Sequence, residues 1–281
     1  FQPYVFAVAN PRADIVATDL SEPSLAIARR RCLVHGQRHV RFAPCDLNDP
    51  STWPSGPFEL IECYGVLMNL PDPAATLAAL AQRLAPRGVL RLMVYPHWSR
   101  QRIVQLQRLA RLLGLGPQDR RHPALFRRIV RALPAAHPLR HAFVHYHDSR
   151  NDAGVVDGFL HAGDRTFTAF QLGELLQQAG LEPGFWFHRP WAQPDVMAER
   201  LEFADRSQSF VLDQLDLWHE LRTNFVVCAR RRGEPRVAAE PTVHPMLVDG
   251  ERPLRHRLRT MSLSLFGGRL PQRTGDAPLR L

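Results

Sequence analysis

The sequence predicts an α/β protein built on a doubly wound parallel sheet, and three observations carry that expectation. Short apolar runs recur at Ile15-Val16-Ala17, Val40-Arg41-Phe42-Ala43 and Phe58-Glu59-Leu60-Ile61-Glu62-Cys63. The first lacks the strict alternation of a sheet with one face in water. Between the runs lie helix-start signals, Ser21 before Glu22-Pro23 and Asp72 before Pro73. Each is a capping side chain followed by a proline whose missing N–H does no harm in a first helical turn. Strands alternating with helices at this spacing make parallel β-α-β units. The first run also ends in a carboxylate, Asp19, at the edge where open α/β sheets hold ligands.

In chain order, residues 1–10 read as a short buried helix around Tyr4, Val5, Ala7, Val8 and Ala9, ended by Asn10-Pro11. The strand to Asp19 follows, then a helix to about Val34 that stops at His35-Gly36. A strand over Val40–Ala43 leads into Cys45-Asp46-Leu47, and the strand over Phe58–Cys63 runs into Tyr64-Gly65. The helix opened by Asp72-Pro73 carries an apolar stripe of Leu77, Leu80 and Leu84 and closes at Pro86-Arg87-Gly88. Val89–Tyr95 is a fourth strand. Ile103, Leu106, Leu109 and Leu113 recur at helical spacing, and a second helix runs around Pro123–Leu133. Thr168 and Gln171 fit a capping box for a helix that ends at Gly180. Gly184–His188 reads as a strand, Phe210–Leu221 as a helix and Asn224–Arg230 as a final strand. From Gly233 onward prolines and arginines without a sustained period read as a tail of low order. The expected organisation is a domain over 1–232, with a basic helical insert over 97–150, and a tail over 233–281.

Composition bounds the function. At 45% hydrophobic and 22% charged over 281 residues, the chain reads as an ordinary globular protein with room for a full core. No run approaches the ~18 apolar residues of a membrane helix, so no membrane partner is expected. A secretory leader pattern is missing. Cys32, Cys45, Cys63 and Cys228 are scattered without a C-x-x-C pair, so no metal site or disulfide framework is expected, and a reducing cytoplasm is. All 36 basic residues are arginine, alongside 24 prolines, which reads first as the codon bias of a GC-rich genome. Residue 1 is Phe and opens in mid-helix, so the sequence reads as a fragment of a longer chain.

Residues 97–147 hold ten arginines against one acidic residue, Asp119. That balance fits a basic surface for an anionic partner, and equally a solvated helix face drawn from an arginine-heavy codon pool. The alternating histidines of His145-Tyr146-His147-Asp148 could share one face of a strand, but no third ligand follows at motif spacing. Asp157, His161, Asp164 and Arg165 lie in a polar segment that could face an acceptor or be satisfied by its own caps.

With Asp19, Asp46-Leu47 and the Tyr64-Gly65-Val66-Leu67-Met68-Asn69-Leu70 loop in register, the chain resembles the class I S-adenosylmethionine-dependent methyltransferases. The resemblance covers roughly residues 1–96 closely and 160–232 more loosely. It implies a Rossmann-like sheet, S-adenosylmethionine as cofactor, and a cofactor site made by Asp19, Leu20, Asp46, Leu47, Cys63, Tyr64 and Gly65. In such a site Asp19 takes the ribose hydroxyls, Asp46 meets the adenine amino group and Leu47 packs the ring. The family's first strand and glycine-rich loop would lie immediately before Phe1. Its His-His pair is here Met68-Asn69, which removes an obvious base, and no catalytic residue is assigned. Methyl transfer from a sulfonium asks mainly for binding and alignment, because the cofactor brings its own leaving group. The acceptor, small molecule or protein, is not specified. Two further readings stay open: a non-catalytic protein of the same fold, and an arginine-rich nucleic-acid-binding module that lacks interleaved aromatics. A nicotinamide-dependent dehydrogenase would also use Asp19, but Asp46-Leu47 and the closing strand pair favour the methyltransferase.

Overall fold

The computed structural model describes residues 2–161, 164–187, 208–217 and 224–234. The chain divides into two compact units, the first within residues 2–55 and the second within 56–234. Its α/β class and its parallel strand pairs agree with the sequence expectation.

In the first unit, α1 (Gln2–Ala9) buries Tyr4, Val5 and Ala7 against Cys32 and Val40. β1 (Ile15–Asp19) and β2 (Val40–Pro44) pair in parallel across α2 (Glu22–Val34), with Asp19 opposite Pro44. The Ser21 hydroxyl accepts the Ser24 N–H at 3.3 Å, as the capping signal predicts. Gly36, at φ +73°, carries the chain out of the helix.

The second unit is built on a mixed sheet of β3 (Phe58–Tyr64), β4 (Leu84–Val94), β5 (Leu181–Phe187) and β6 (Phe225–Arg231), in the order β3-β4-β6-β5. β3 and β4 run parallel, while β6 runs antiparallel to both β4 and β5. Leu90, Leu92 and Val94 of β4 are fully buried, as are Leu77 of α3 (Pro73–Gln82) and Leu172 and Leu176 of α8 (Ala169–Gln178). Asp72 caps α3 and the Thr168–Gln171 capping box opens α8, both as predicted. The last described helix of this unit is α9 (Gln208–Leu217); residues 218–221 of the expected helix, His188 of the expected strand and the tail beyond Glu234 lie outside the described residues.

Three expectations are corrected. Pro86-Arg87-Gly88 does not close α3, which ends at Gln82 with Arg83 as its C-cap. Leu84 is instead the first residue of β4, because the Arg83 carbonyl already accepts the Phe58 N–H at 2.9 Å. Arg87, at φ +62°, and Gly88, where an added Cβ would meet the Phe58 carbonyl oxygen at 2.8 Å, form a kink early in the strand. The insert holds α4 (Gln101–Leu112), α5 (His122–Ala132) and two further helices that the sequence reading did not separate, α6 (Pro138–His145) and α7 (Asp152–Val155). His145 is therefore helical, not on a strand. The buried stripe of α4 is Ile103, Leu106 and Ala110 with Gln107, whereas Leu113 lies past the helix end, 45% exposed. Phe126, Phe143 and Phe159 complete the insert's core and are fully buried, with Phe126 edge-on to Phe143 at 5.7 Å.

On β3, Glu62 meets Arg91 of β4 at 2.5 Å, with both side chains mostly covered. Burial pushes the Glu62 carboxyl up to about 7, against the pull of Arg91. The folded protein keeps that proton to higher pH than the unfolded chain does, so stability falls as pH rises from about 5 to about 7. Urea unfolding across that window should show the fall, and Glu62→Gln should flatten it.

Candidate functional site

The first unit brings two predicted carboxylates to one edge. Because Asp19 stands opposite Pro44 in a parallel pair, Asp46 follows just beyond the same carboxyl end. Asp19 Oδ1 accepts the Ser21 N–H at 2.8 Å, and its carbonyl accepts the Cys45 N–H at 3.1 Å. Asp46 Oδ1 accepts both the backbone N–H and the side-chain amide of Asn48, at 2.8 and 2.9 Å. The Asp46 carbonyl takes the indole N–H of buried Trp53 at 2.8 Å, and Thr52 Oγ1 accepts the Asp46 N–H at 3.0 Å. These bonds fix the direction of each carboxylate and leave Oδ2 of Asp19 and of Asp46 without a hydrogen bond among the described residues. Leu20 beside Asp19 is 70% exposed, and Leu47 beside Asp46 is half-buried. The edge thus offers two oriented acceptor oxygens and apolar surface.

In the second unit, β3 ends in Cys63 and Tyr64, and Gly65 follows. Cys63 is buried, and burial pushes its thiol up to about 12, so its side chain is inert at neutral pH. Any contact it makes with a ligand goes through backbone. Tyr64 is partly exposed with Arg91 5.3 Å from its ring centre. Gly65 has φ +75° and donates its N–H to the Met93 carbonyl at 3.2 Å, while an added Cβ would press on the Met93 methyl at 3.2 Å. Glycine lets the chain turn there and lie close to β4. Leu67 and Met68 of the next turn are fully buried, so Met68 anchors the loop rather than facing a ligand.

The insert leaves β4 and returns to α8 through a neck that the sequence did not reveal. Phe167 donates its N–H to the Tyr95 carbonyl at 2.9 Å, and His97 Nδ1 lies 3.0 Å from Thr166 Oγ1. Asp216 of α9 accepts the N–H groups of Trp98 and Ser99, and Asp213 accepts that of Ala169. Arg100, buried, donates to Asp164 at 3.1 Å and to the Tyr146 hydroxyl at 2.8 Å, with its guanidinium 3.2 Å from the Tyr95 ring centre. Gln107 adds a bond to Asp164 at 2.8 Å. Asp164 is therefore a structural partner inside the neck. Arg165 ties that neck to the loop after β3, through its N–H on the Met68 carbonyl and its guanidinium on that of Pro71. Asp157, on a π-helical turn over Val156–Leu160, has its carboxyl raised first by burial and then by Asp148 and Asp164. His161 Nδ1 sits 3.7 Å from Asp164. Nothing in the spacing of Tyr95, Arg100 and Tyr146 marks them in sequence. Among the described residues, no group of three or more His, Cys, Asp or Glu side chains could hold a metal ion.

Antiparallel β6 between β4 and β5 matches the closing strand pair that the resemblance implies. A family model described as "Methyltransferase domain" matches residues 4–90, a span that contains Asp19, Asp46 and the β3 loop. Over residues 4–90, then, the chain carries the pattern of a methyltransferase domain. An uncharacterized protein of Synechococcus sp. is 33% identical over 219 residues, 76% of this chain and 51% of that protein. A protein of Aromatoleum aromaticum named ubiquinone biosynthesis O-methyltransferase is 33% identical over 82 residues, 29% of this chain and 35% of its own length. The chain thus spans about half the length, or less, of these curated relatives. The solved structure of PKMT2 from Rickettsia typhi in complex with AdoHcy superposes with a TM-score of 0.59 at 15% identity, over 83% of this chain and 46% of that one, a likeness of fold.

Proposed function

We propose that this chain binds S-adenosylmethionine and transfers its methyl group to a nucleophilic acceptor, a small molecule or a protein side chain. The observation that carries the reading is the pair of oriented carboxylates, Asp19 and Asp46, at the carboxyl end of β1 and β2, each with Oδ2 free among the described residues. A vicinal diol donates hydrogen bonds and suits a carboxylate, and an exocyclic amine does too. The pair of acceptors therefore fits a nucleoside. Leu20 and Leu47 supply apolar surface beside it.

When bound, the cofactor supplies an activated methyl group on a good leaving group. The chain's residues then bind and orient. Asp19 fixes the sugar, while Asp46 and Leu47 select the base. In the second unit, the glycine turn holds the Cys63–Gly65 backbone close to β4, with the Gly65 N–H on the Met93 carbonyl. The buried Met68 leaves this loop without a base, which suits an acceptor that reacts through a lone pair it already has.

Calorimetric titration with S-adenosylmethionine and S-adenosylhomocysteine tests the reading. Saturable binding of both is expected. Asp19→Ala should weaken it by about 1.5–3 kcal/mol, the worth of hydrogen bonds to a charged acceptor. An unchanged affinity in that variant removes Asp19 from the site, and no binding of either ligand ends the proposal.

A further inference from the structure

The outward surface of the insert takes no part in the reading above. Arg102, Arg108, Arg111, Arg120, Arg128 and Arg131 are exposed there and make no ion pair among the described residues. The single acidic side chain between residues 97 and 147, Asp119, is already engaged by Arg121. At the end of α4 this unpaired charge meets apolar surface, since Leu112 is 79% and Leu113 45% exposed. Arg108 precedes Leu112 by four residues and so shares its face, with Arg111 beside it. Gly114, at φ +68°, then turns the chain away, leaving the two leucines at the helix end. The three phenylalanines of the insert's core are fully buried, so none lies on this surface to stack on a base.

We propose that this helix end, Arg108, Arg111, Leu112 and Leu113, docks on the surface of an anionic lipid bilayer. Charge complementarity alone would suit any polyanion. A nucleic acid or an acidic protein surface, however, satisfies the arginines and leaves the adjacent leucines in water. A bilayer surface takes both, the leucines into the boundary between headgroups and acyl chains and the arginines onto lipid phosphates. Such docking is peripheral and needs no spanning helix, and none of the described helices is long and apolar enough to cross a membrane. The sequence reading expected no membrane partner because it found no spanning run, and peripheral docking departs from that expectation. The proposal does not depend on cofactor binding.

The test is co-sedimentation of the full chain with vesicles of phosphatidylcholine alone and of phosphatidylcholine with phosphatidylglycerol, at low and moderate salt. Binding is expected only with the anionic lipid, weakening as salt rises. Arg108→Gln and Arg111→Gln should each lower the partition about five-fold. The double variant Leu112→Asn, Leu113→Asn should lower it about ten-fold or more with net charge unchanged. These side chains lie in solvent, so unfolding midpoints serve as the control that each variant is folded. Equal partition onto both vesicle types, no association with the anionic ones, or indifference to the leucine substitutions would overturn the proposal. So would tighter binding to a DNA duplex that ignores those substitutions.

Discussion

Asp164→Ala is expected to destabilise the second unit by about 3–5 kcal/mol, because it strands a buried guanidinium. Arg100 and Asp164 side chains are each only 5% exposed, and Asp164 also accepts from Gln107. Truncation leaves Arg100 with the Tyr146 hydroxyl and the Tyr95 ring as its remaining partners. The size of the loss reflects an uncompensated buried charge more than the worth of the bond itself. A matched pair makes that distinction measurable: Arg100→Met with Asp164→Leu removes both charges and should recover most of the stability. Urea unfolding of the single and the double variant gives the comparison, and a single-variant loss under about 1 kcal/mol would mean that the neck tolerates an open charge.

Phe126→Ala should cost about 3–5 kcal/mol in the same assay, the usual toll of emptying an aromatic site in a packed core. Phe126 contacts both Phe143 and Phe159, with ring centres 5.7 and 6.0 Å away. All three are fully buried, so the space cannot be refilled by a small shift of one neighbour. Hydrogen exchange should show the loss concentrated in α4, α5 and α6. Protection in β3 and β4 should change less, since their core is built from Leu90, Leu92 and Leu77. Equal loss of protection throughout the second unit would mean that insert and sheet unfold as one.

Much of this fold was legible from residues alone. Ser21, Asp72 and the Thr168–Gln171 box mark helix starts because a cap is a local device, decided within one turn. Strand ends were legible for a similar reason, as β1 stops at Asp19 and β3 runs out at the Tyr64-Gly65 turn. The misreadings came where tertiary pairing overrode local signals. Pro86-Arg87-Gly88 looks like a stop, yet β3 recruits the chain into a strand before it. In the insert, Ile103, Leu106, Leu109 and Leu113 at helical spacing suggested a stripe, but the buried face runs through Gln107 and Ala110. A polar residue joins a core only when it finds a partner across the fold, here Gly158 and Asp164, 51 and 57 residues away. The candidate site divides the same way. Asp19 and Asp46 were readable because a parallel register puts successive strand ends on one edge. The Arg100 neck was not, because its partners are brought together only by the return of the insert.

The central claim is that the ends of β1 and β2 hold a nucleoside cofactor. Amide chemical shifts recorded during titration with S-adenosylhomocysteine test it most directly, on the whole chain and without an acceptor. The account predicts saturable shifts at Asp19–Ser21 and Asp46–Asn48, with α4 and α5 unmoved. Saturable shifts confined to the insert, with those two segments silent, would contradict it.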